Sequence, residues 1–320
     1  MKEKYTLHTL AKMNYKMPHR NHNNKNKLKI AVHLHVFYTD LIPSIRKSLC
    51  NIPEPFDLYV SIPETIDFDF HGIKDTLAEL ENVKELVIEK VPNRGRDIAP
   101  MLCTFKERLS SYDVFLHLHT KKSPHNNALS GWFPYICRHL LPPHRTKVIL
   151  DLLSRDVGMI VPPNYICDPS PDGWGRGNIE IAQQIINRSG LDIDLRSRYP
   201  SIDYPQGSMF WARTDFLRPL FDIPFTYEEF PKEPIGVDGT IAHALERLFF
   251  IWGTESRLDV YREFDKEDIE RIQKKYDELL NKNKILSEKN EKHLKTIRWL
   301  IVFFCLLVLT AIFLFSVLLF

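Results

Sequence analysis

"AVHLHVFY" (Ala31–Tyr38) and "VFLHLHTKK" (Val114–Lys122) share a His-Leu-His core. Each opens as an apolar run of strand length and closes on polar groups. Side chains alternate across a strand, so the two imidazoles of each pair lie on one face. Strands this apolar belong to a sheet covered on both sides.

Working outward, strand-like runs at Lys29–Phe37, Phe56–Ile62, Val83–Val91, Val114–His119 and Val157–Val161 alternate with helical patterns near Leu41–Leu49, Gly72–Leu80, Trp132–His139 and Arg145–Leu153, and a further helix is expected after Gly95. That rotation predicts an α/β domain with a mostly parallel, Rossmann-like sheet. Such sheets bind ligands at the carboxyl ends of their strands, beside a reversal in strand order.

His117, His119, Lys121 and Lys122 stand at or past one such end, and "VPNRGRDIAP" (Val91–Pro100) leaves the third strand at the same edge. Arg94, Arg96, Lys121 and Lys122 are expected to converge as a diphosphate cradle, because guanidinium forks suit phosphate oxygens. Gly95 permits the tight turn, and Asp97 is expected to cap the following helix. His117 and His119 are expected to contact phosphate or sugar, whereas His33 and His35 suit hydrogen bonding within the sheet. Two HxH pairs on neighbouring strands also fit a borderline metal. Cations crowd that place, however, and no acidic ligand stands nearby in sequence, so no metal ligand or cofactor is assigned.

Downstream, "NYICDPSPDGWGRGN" (Asn164–Asn178) reads as a loop over a site, with Asp172 and Trp174 as lid or acceptor contacts. A tryptophan pinning that loop to the core is the competing reading. In "PQGSMFWARTDFLRPLF" (Pro205–Phe221), Gly207 and Ser208 precede an apolar strand and Thr214 is expected to cap a helix. Asp238, in a Gly-flanked turn before the apolar-striped "GTIAHALERLFF", suits either a helix cap or a general base.

The chain has 320 residues and a formal net charge of +2, which gives no reason to expect a nucleic-acid partner. Its five cysteines form no CxxC, as in a reduced, cytosol-facing protein. Residues 1–28 are basic and lack apolar periodicity, so disorder is expected there. Residues 265–298 are charged and helix-favouring, with Ile269, Ile272, Tyr276, Leu279, Leu286 and Ile297 at heptad positions and Asn283, Asn290 and His293 at others. They read as a helical stalk, solvated or weakly self-associating. The last 22 residues, 299–320, carry no charge and at about 1.5 Å per residue would cross a bilayer as one helix. Lys289, Lys292, Lys295 and Arg298 precede them, which places the domain on the cytoplasmic side.

Taken together, "VHLHVFY", "NRGRDIAP", "HLHTKKS", "GSMFWAR" and "DGTIAHALER" resemble the rhamnan synthesis protein F family over Lys29–Phe264. The resemblance implies a glycosyltransferase-like protein of bacterial surface polysaccharide assembly, with a divergent glycosyltransferase A-like fold in residues 29–264. In that fold an Asn-x-Gly element follows the third strand, matched here by Asn93–Gly95. The metal-holding Asp-x-Asp of the fourth strand is replaced here by His117-Leu118-His119, so neutralisation of the donor by side chains is expected. The late acid that deprotonates the acceptor in inverting members matches Asp238. Gly207 and Ser208 complete the donor site.

The expectation is therefore a single-pass, membrane-anchored, inverting hexosyltransferase. It would move a sugar such as rhamnose from a nucleotide-diphosphate donor to a lipid-linked polysaccharide acceptor at the cell membrane. The stalk would provide a homo-oligomer contact. A metal-dependent hydrolase using both His-Leu-His pairs and a non-catalytic glycan-binding scaffold are the alternatives.

Overall fold

The structure, a computed structural model, describes residues 27–122, 131–155, 157–165, 172–236, 238–256 and 258–262, with separate positions between 268 and 293. The basic start (1–26), part of the proposed loop (166–171), most of the stalk and the apolar tail (299–320) lie outside the described residues. Among the described residues, no helix is long and apolar enough to cross a membrane. The described positions from 284 to 291 are helical, and Ile285 and Leu286 are exposed. The chain divides into His19–Phe264 and a second unit of Met1–Pro18 with Asp265–Phe320; the following concerns the first.

Its strands are β1 (Ile30–His35), β2 (Phe56–Pro63), β3 (Val83–Val91), β4 (Val114–His119), β5 (Val157–Val161), β6 (Phe210–Arg213) and β7 (Asp259–Arg262). They form one sheet in the order β3-β2-β1-β4-β6-β5-β7. Pairing is parallel except that β6 runs antiparallel to β4 and β5. Every residue of β1 is buried, as befits a strand near the middle, whereas edge strand β3 exposes Lys84, Glu85 and Lys90. Charges of this kind discourage edge-to-edge pairing.

The longer helices are α1 (Ile42–Leu49), α2 (Phe70–Ala78), α3 (Trp132–Leu140), α4 (Thr146–Leu153), α5 (Asn178–Arg188) and α6 (Ile241–Ser256). Pro43 sits in the first turn of α1, where its missing N–H costs nothing, and Asp69 caps α2 by accepting from Gly72 N. One sheet face, with Val32, Leu34 and Leu116, packs against α1 to α4. The other, with Ala31 and Phe115, packs against α5, α6 and the stretch Met101–Phe105. His33, His35, His117 and His119 share the parity of Ala31 and Phe115, so they belong to this second face.

The strand order reverses between β1 and β4, which locates the crevice there. The sheet is mostly parallel as expected, with β6 the antiparallel strand. Two features depart from expectation. The helix after Gly95 is a π-helical turn, Pro100–Thr104, followed by the short helix Lys106–Leu109. Thr214 caps no helix: its N–H donates to Asp113 O at 3.1 Å and its hydroxyl to Leu109 O at 3.4 Å.

Candidate functional site

Parallel pairing of β1 with β4 sets His33 opposite His117 and His35 opposite His119. Their imidazoles meet inside the protein. His33 Nδ1 lies 2.9 Å from His117 Nδ1, and the two rings are only 17° from parallel. His33 Nε2 and His35 Nδ1 both reach Ser61 Oγ of β2, at 3.1 and 2.9 Å. His117 Nε2 reaches Asp97 Oδ2 at 3.1 Å. His119 Nε2 donates to the Gly207 carbonyl at 2.7 Å. The sheet-internal role expected for His33 and His35 thus extends to His117, which is fully buried with both ring nitrogens engaged. His117 is not on the rim; it holds Asp97.

Asp97 departs from expectation in the same way. Its carboxylate does not cap a helix but is buried against His117 and His119. Burial alone would raise its pKa, but the field of His119 and the hydrogen bond from His117 outweigh it and hold Asp97 well below the ordinary carboxylate range. Burial pushes the pKa of His33 and His119 down and takes His35 to about 3.

The two arginines of the Arg-Gly-Arg turn separate. Arg94 turns away from the cradle: its Nη1 donates to the carbonyls of Tyr227, Glu228 and Phe230 at 3.3, 3.5 and 3.2 Å. Gly95, at φ +64°, lies under Phe230, and a Cβ there would come within 2.4 Å of that ring. Asn93 is half-buried at the start of the turn. Arg96, with φ of 53°, is exposed and lies 3.6 Å from Glu233. Its charge depresses both Lys121 and His243.

Lys121 rests its ammonium over the Trp132 ring, 4.1 Å from the centroid. Burial pushes its pKa down and Arg96 adds to this, while Glu246 and Asp97 oppose them. Among the described residues, no carboxylate lies within 4 Å of this ammonium. Lys122 instead pairs with Asp40 and lies over Tyr38. Gly207 and Ser208, both at positive φ, turn beside this group. Gly207 N donates to Glu246 Oε1 at 2.7 Å while its carbonyl accepts from His119, so one residue joins β4 to α6.

Asp238 is partly exposed and held by three donors. Arg176 N donates to it at 3.0 Å, the Asn178 amide bonds its other oxygen, and Arg247 Nη2 lies at 3.3 Å. Burial would raise its pKa; the Asn178 bond, the Arg176 N–H and the Arg247 charge together lower it. Its side chain keeps 25% exposure. Gly175 must be glycine here, since a Cβ would meet Asp238 Oδ2 at 2.1 Å. Trp174 is no stacking platform: it is 1% exposed and its indole donates to Tyr199 O at 2.9 Å. Asp172 closes the same turn by accepting from Trp174 N at 2.9 Å. The described part of the expected lid is therefore pinned to the core, while 166–171 lies outside the described residues.

Residues missed from sequence are Ser61, Thr120, Trp132, His243, Glu246 and Arg247. The last three fall at i, i+3 and i+4 on α6, one face of an otherwise apolar helix, and that spacing was a usable signal. Burial raises the pKa of Glu246, against Arg247, the Gly207 N–H and Lys121. Burial with the charges of Arg96 and Arg247 takes His243 to about 4. Thr120 Oγ1 accepts from the N–H groups of Phe37 and Tyr38, joining the loops at the strand-order reversal.

Among the described residues, no group of three or more His, Cys, Asp or Glu could hold a metal. Two cavities lined by described residues lie away from Lys121. One of about 460 Å³ has Arg188, Glu229 and Thr240 in its wall, and a groove of about 910 Å³ lies at the amino edge by Lys29, Asp113 and Arg213.

Comparison with known proteins matches residues 2–257 to the family described as Rhamnan synthesis protein F. Over 230 residues, the chain is 32% identical to an uncharacterized protein, WxcX, of Xanthomonas campestris pv. campestris strain B100, and 31% identical to WxcX of strain ATCC 33913. Each alignment takes in 71% of this chain but 31% of the relative, so the chain spans about a third of the length of these relatives. The family match covers most of the chain, including every strand of the sheet but the last, and the chain belongs to the rhamnan synthesis protein F family.

Proposed function

We propose that residues 29–264 form a glycosyltransferase domain that takes a nucleotide-diphosphate sugar at the carboxyl edge of the sheet, between β1 and β4. The observation that carries this reading is Lys121. An ammonium depressed by burial and, among the described residues, without a carboxylate within 4 Å is costly, and an anion beside it would offset that cost. Arg96 next to it supplies a second charge. The family's role in rhamnan, hence polysaccharide, synthesis supports sugar transfer as the chemistry.

Lys121 and Arg96 face the diphosphate and stabilise it as it leaves, and the Gly207–Ser208 turn forms the opposite wall. The half-exposed Phe37–Tyr38 pair offers an aromatic face to a nucleobase. Arg94, Asp97, His117 and His119 shape the turn behind these groups. The inverting step has Asp238 as base, and its lowered pKa means the acceptor hydroxyl must displace one of its present donors. The acceptor is a lipid-linked glycan, and residues 299–320 would tether the domain on the cytoplasmic side where such acceptors lie. Self-association through the stalk belongs to the same proposal.

No observation favours the hydrolase: His33 and His117 spend both ring nitrogens within the chain, leaving no lone pair for a metal. The direct experiment is sugar transfer by the full chain from a panel of nucleotide-diphosphate sugars to lipid-linked acceptors. Transfer that falls at least tenfold in Lys121→Met supports the reading. A wild-type chain inert towards every donor, or a fully active Lys121→Met, refutes it.

A further inference from the structure

His35, Ser61, His33, His117 and Asp97 make an unbroken line of hydrogen bonds across β2, β1 and β4 to the turn after β3, with steps of 2.9, 3.1, 2.9 and 3.1 Å. All five are buried. In the arrangement with Asp97 ionised and one proton on each imidazole, every proton in the line has one place. The carboxylate can only accept, so His117 carries its proton on Nε2 and presents a lone pair at Nδ1. His33 Nδ1 must then donate, which leaves His33 Nε2 as an acceptor for the Ser61 hydroxyl. Ser61 Oγ in turn accepts from His35 Nδ1. Each donor points towards Asp97.

Adding one proton reverses the line without moving a heavy atom. A proton bound at His35 Nε2 releases the Nδ1 proton to Ser61 Oγ. Ser61 passes its own to His33 Nε2, and His33 passes its Nδ1 proton to His117. The result is an imidazolium at His117 paired with Asp97, with the other histidines neutral and opposite in tautomer. The outer nitrogen, His35 Nε2, has no hydrogen bond among the described residues, so the line is open to a proton at that end.

We propose that these five side chains are a one-proton relay, through which the charge of the sealed Asp97 is balanced from the His35 end of the sheet. This goes beyond the transferase reading and does not rest on it. Its consequence for the crevice is electrostatic: Asp97 supports the charge of Lys121, so a proton on His117 weakens that support. The groups facing the relay are His119 at the end of β4 and Lys121 past it, with Arg96 and Glu246 beyond them, and the rings of Phe105 and Phe210.

The test is nitrogen-15 NMR of the full chain labelled at histidine. At pH 8, His35 and His33 are expected as Nδ1–H tautomers and His117 as Nε2–H. On acidification, His35 and His33 should switch to Nε2–H in the same step in which His117 gains its proton. Ser61→Ala, which cuts the line, should free His35 from that step while His33 and His117 stay coupled. An Nε2–H tautomer at His33 at pH 8, or separate midpoints for His33 and His117, overturns the relay. The wild-type spectra decide the matter even where Ser61→Ala does not fold, and neither outcome depends on any sugar donor.

Discussion

Thr120 Oγ1, just past the end of β4, accepts from Phe37 N at 2.7 Å and from Tyr38 N at 2.9 Å. A single hydroxyl thereby joins the two loops at the reversal of strand order. Thr120→Val keeps the shape and leaves both amides unpaired. It should lower stability by about 1–3 kcal/mol in chemical denaturation, whereas Thr120→Ser should cost less.

Arg94 and Arg96 stand two residues apart and should respond differently to alanine. Arg94→Ala removes the donor to three carbonyls of the 227–230 turn and should cost about 1–3 kcal/mol of stability. Arg96→Ala removes an exposed side chain and should leave stability nearly unchanged while weakening diphosphate-sugar binding about tenfold or more. Calorimetry on both variants separates the roles.

Gly95→Ala would place a methyl into Phe230 and Ala99 at a positive φ. A loss of about 1–3 kcal/mol is expected by thermal denaturation, because backbone strain and overpacking act together.

The pH dependence follows from His35, whose folded pKa is about 3 against about 6.5 for a free imidazole. Between those values the unfolded chain binds the extra proton, so stability is complete above pH ~6.5 and falls as pH drops towards 3. The depressed carboxyl of Asp97 acts in the same direction at lower pH: its contribution is full above the ordinary carboxylate pKa of ~3.9 and is lost as pH falls through its folded value. His35→Asn should flatten the upper part of this slope, read by denaturation at a series of pH values.

Six strands, five helices and the placement of each histidine pair on one strand face were legible because each rests on local periodicity. β6 was legible as the apolar strand after Gly207 and Ser208, but its antiparallel sense depends on partners distant in sequence, and β7, four residues long, is too short to show a pattern. At the site, the grouping of Arg96 with Lys121 followed from the strand-end rule. Arg94 was assigned wrongly because its partners are backbone carbonyls at 227–230, which carry no sequence signature. Trp174 followed the competing reading, since burial of an indole depends on the packing around it.

The most direct test of the central claim is binding of nucleotide-diphosphate sugars to the full chain, with Lys121→Met alongside. A stabilising shift with at least one such sugar, reduced or lost in Lys121→Met, is the result expected if Lys121 awaits a diphosphate. The absence of a shift with any donor, or an equal shift in wild type and Lys121→Met, would contradict it.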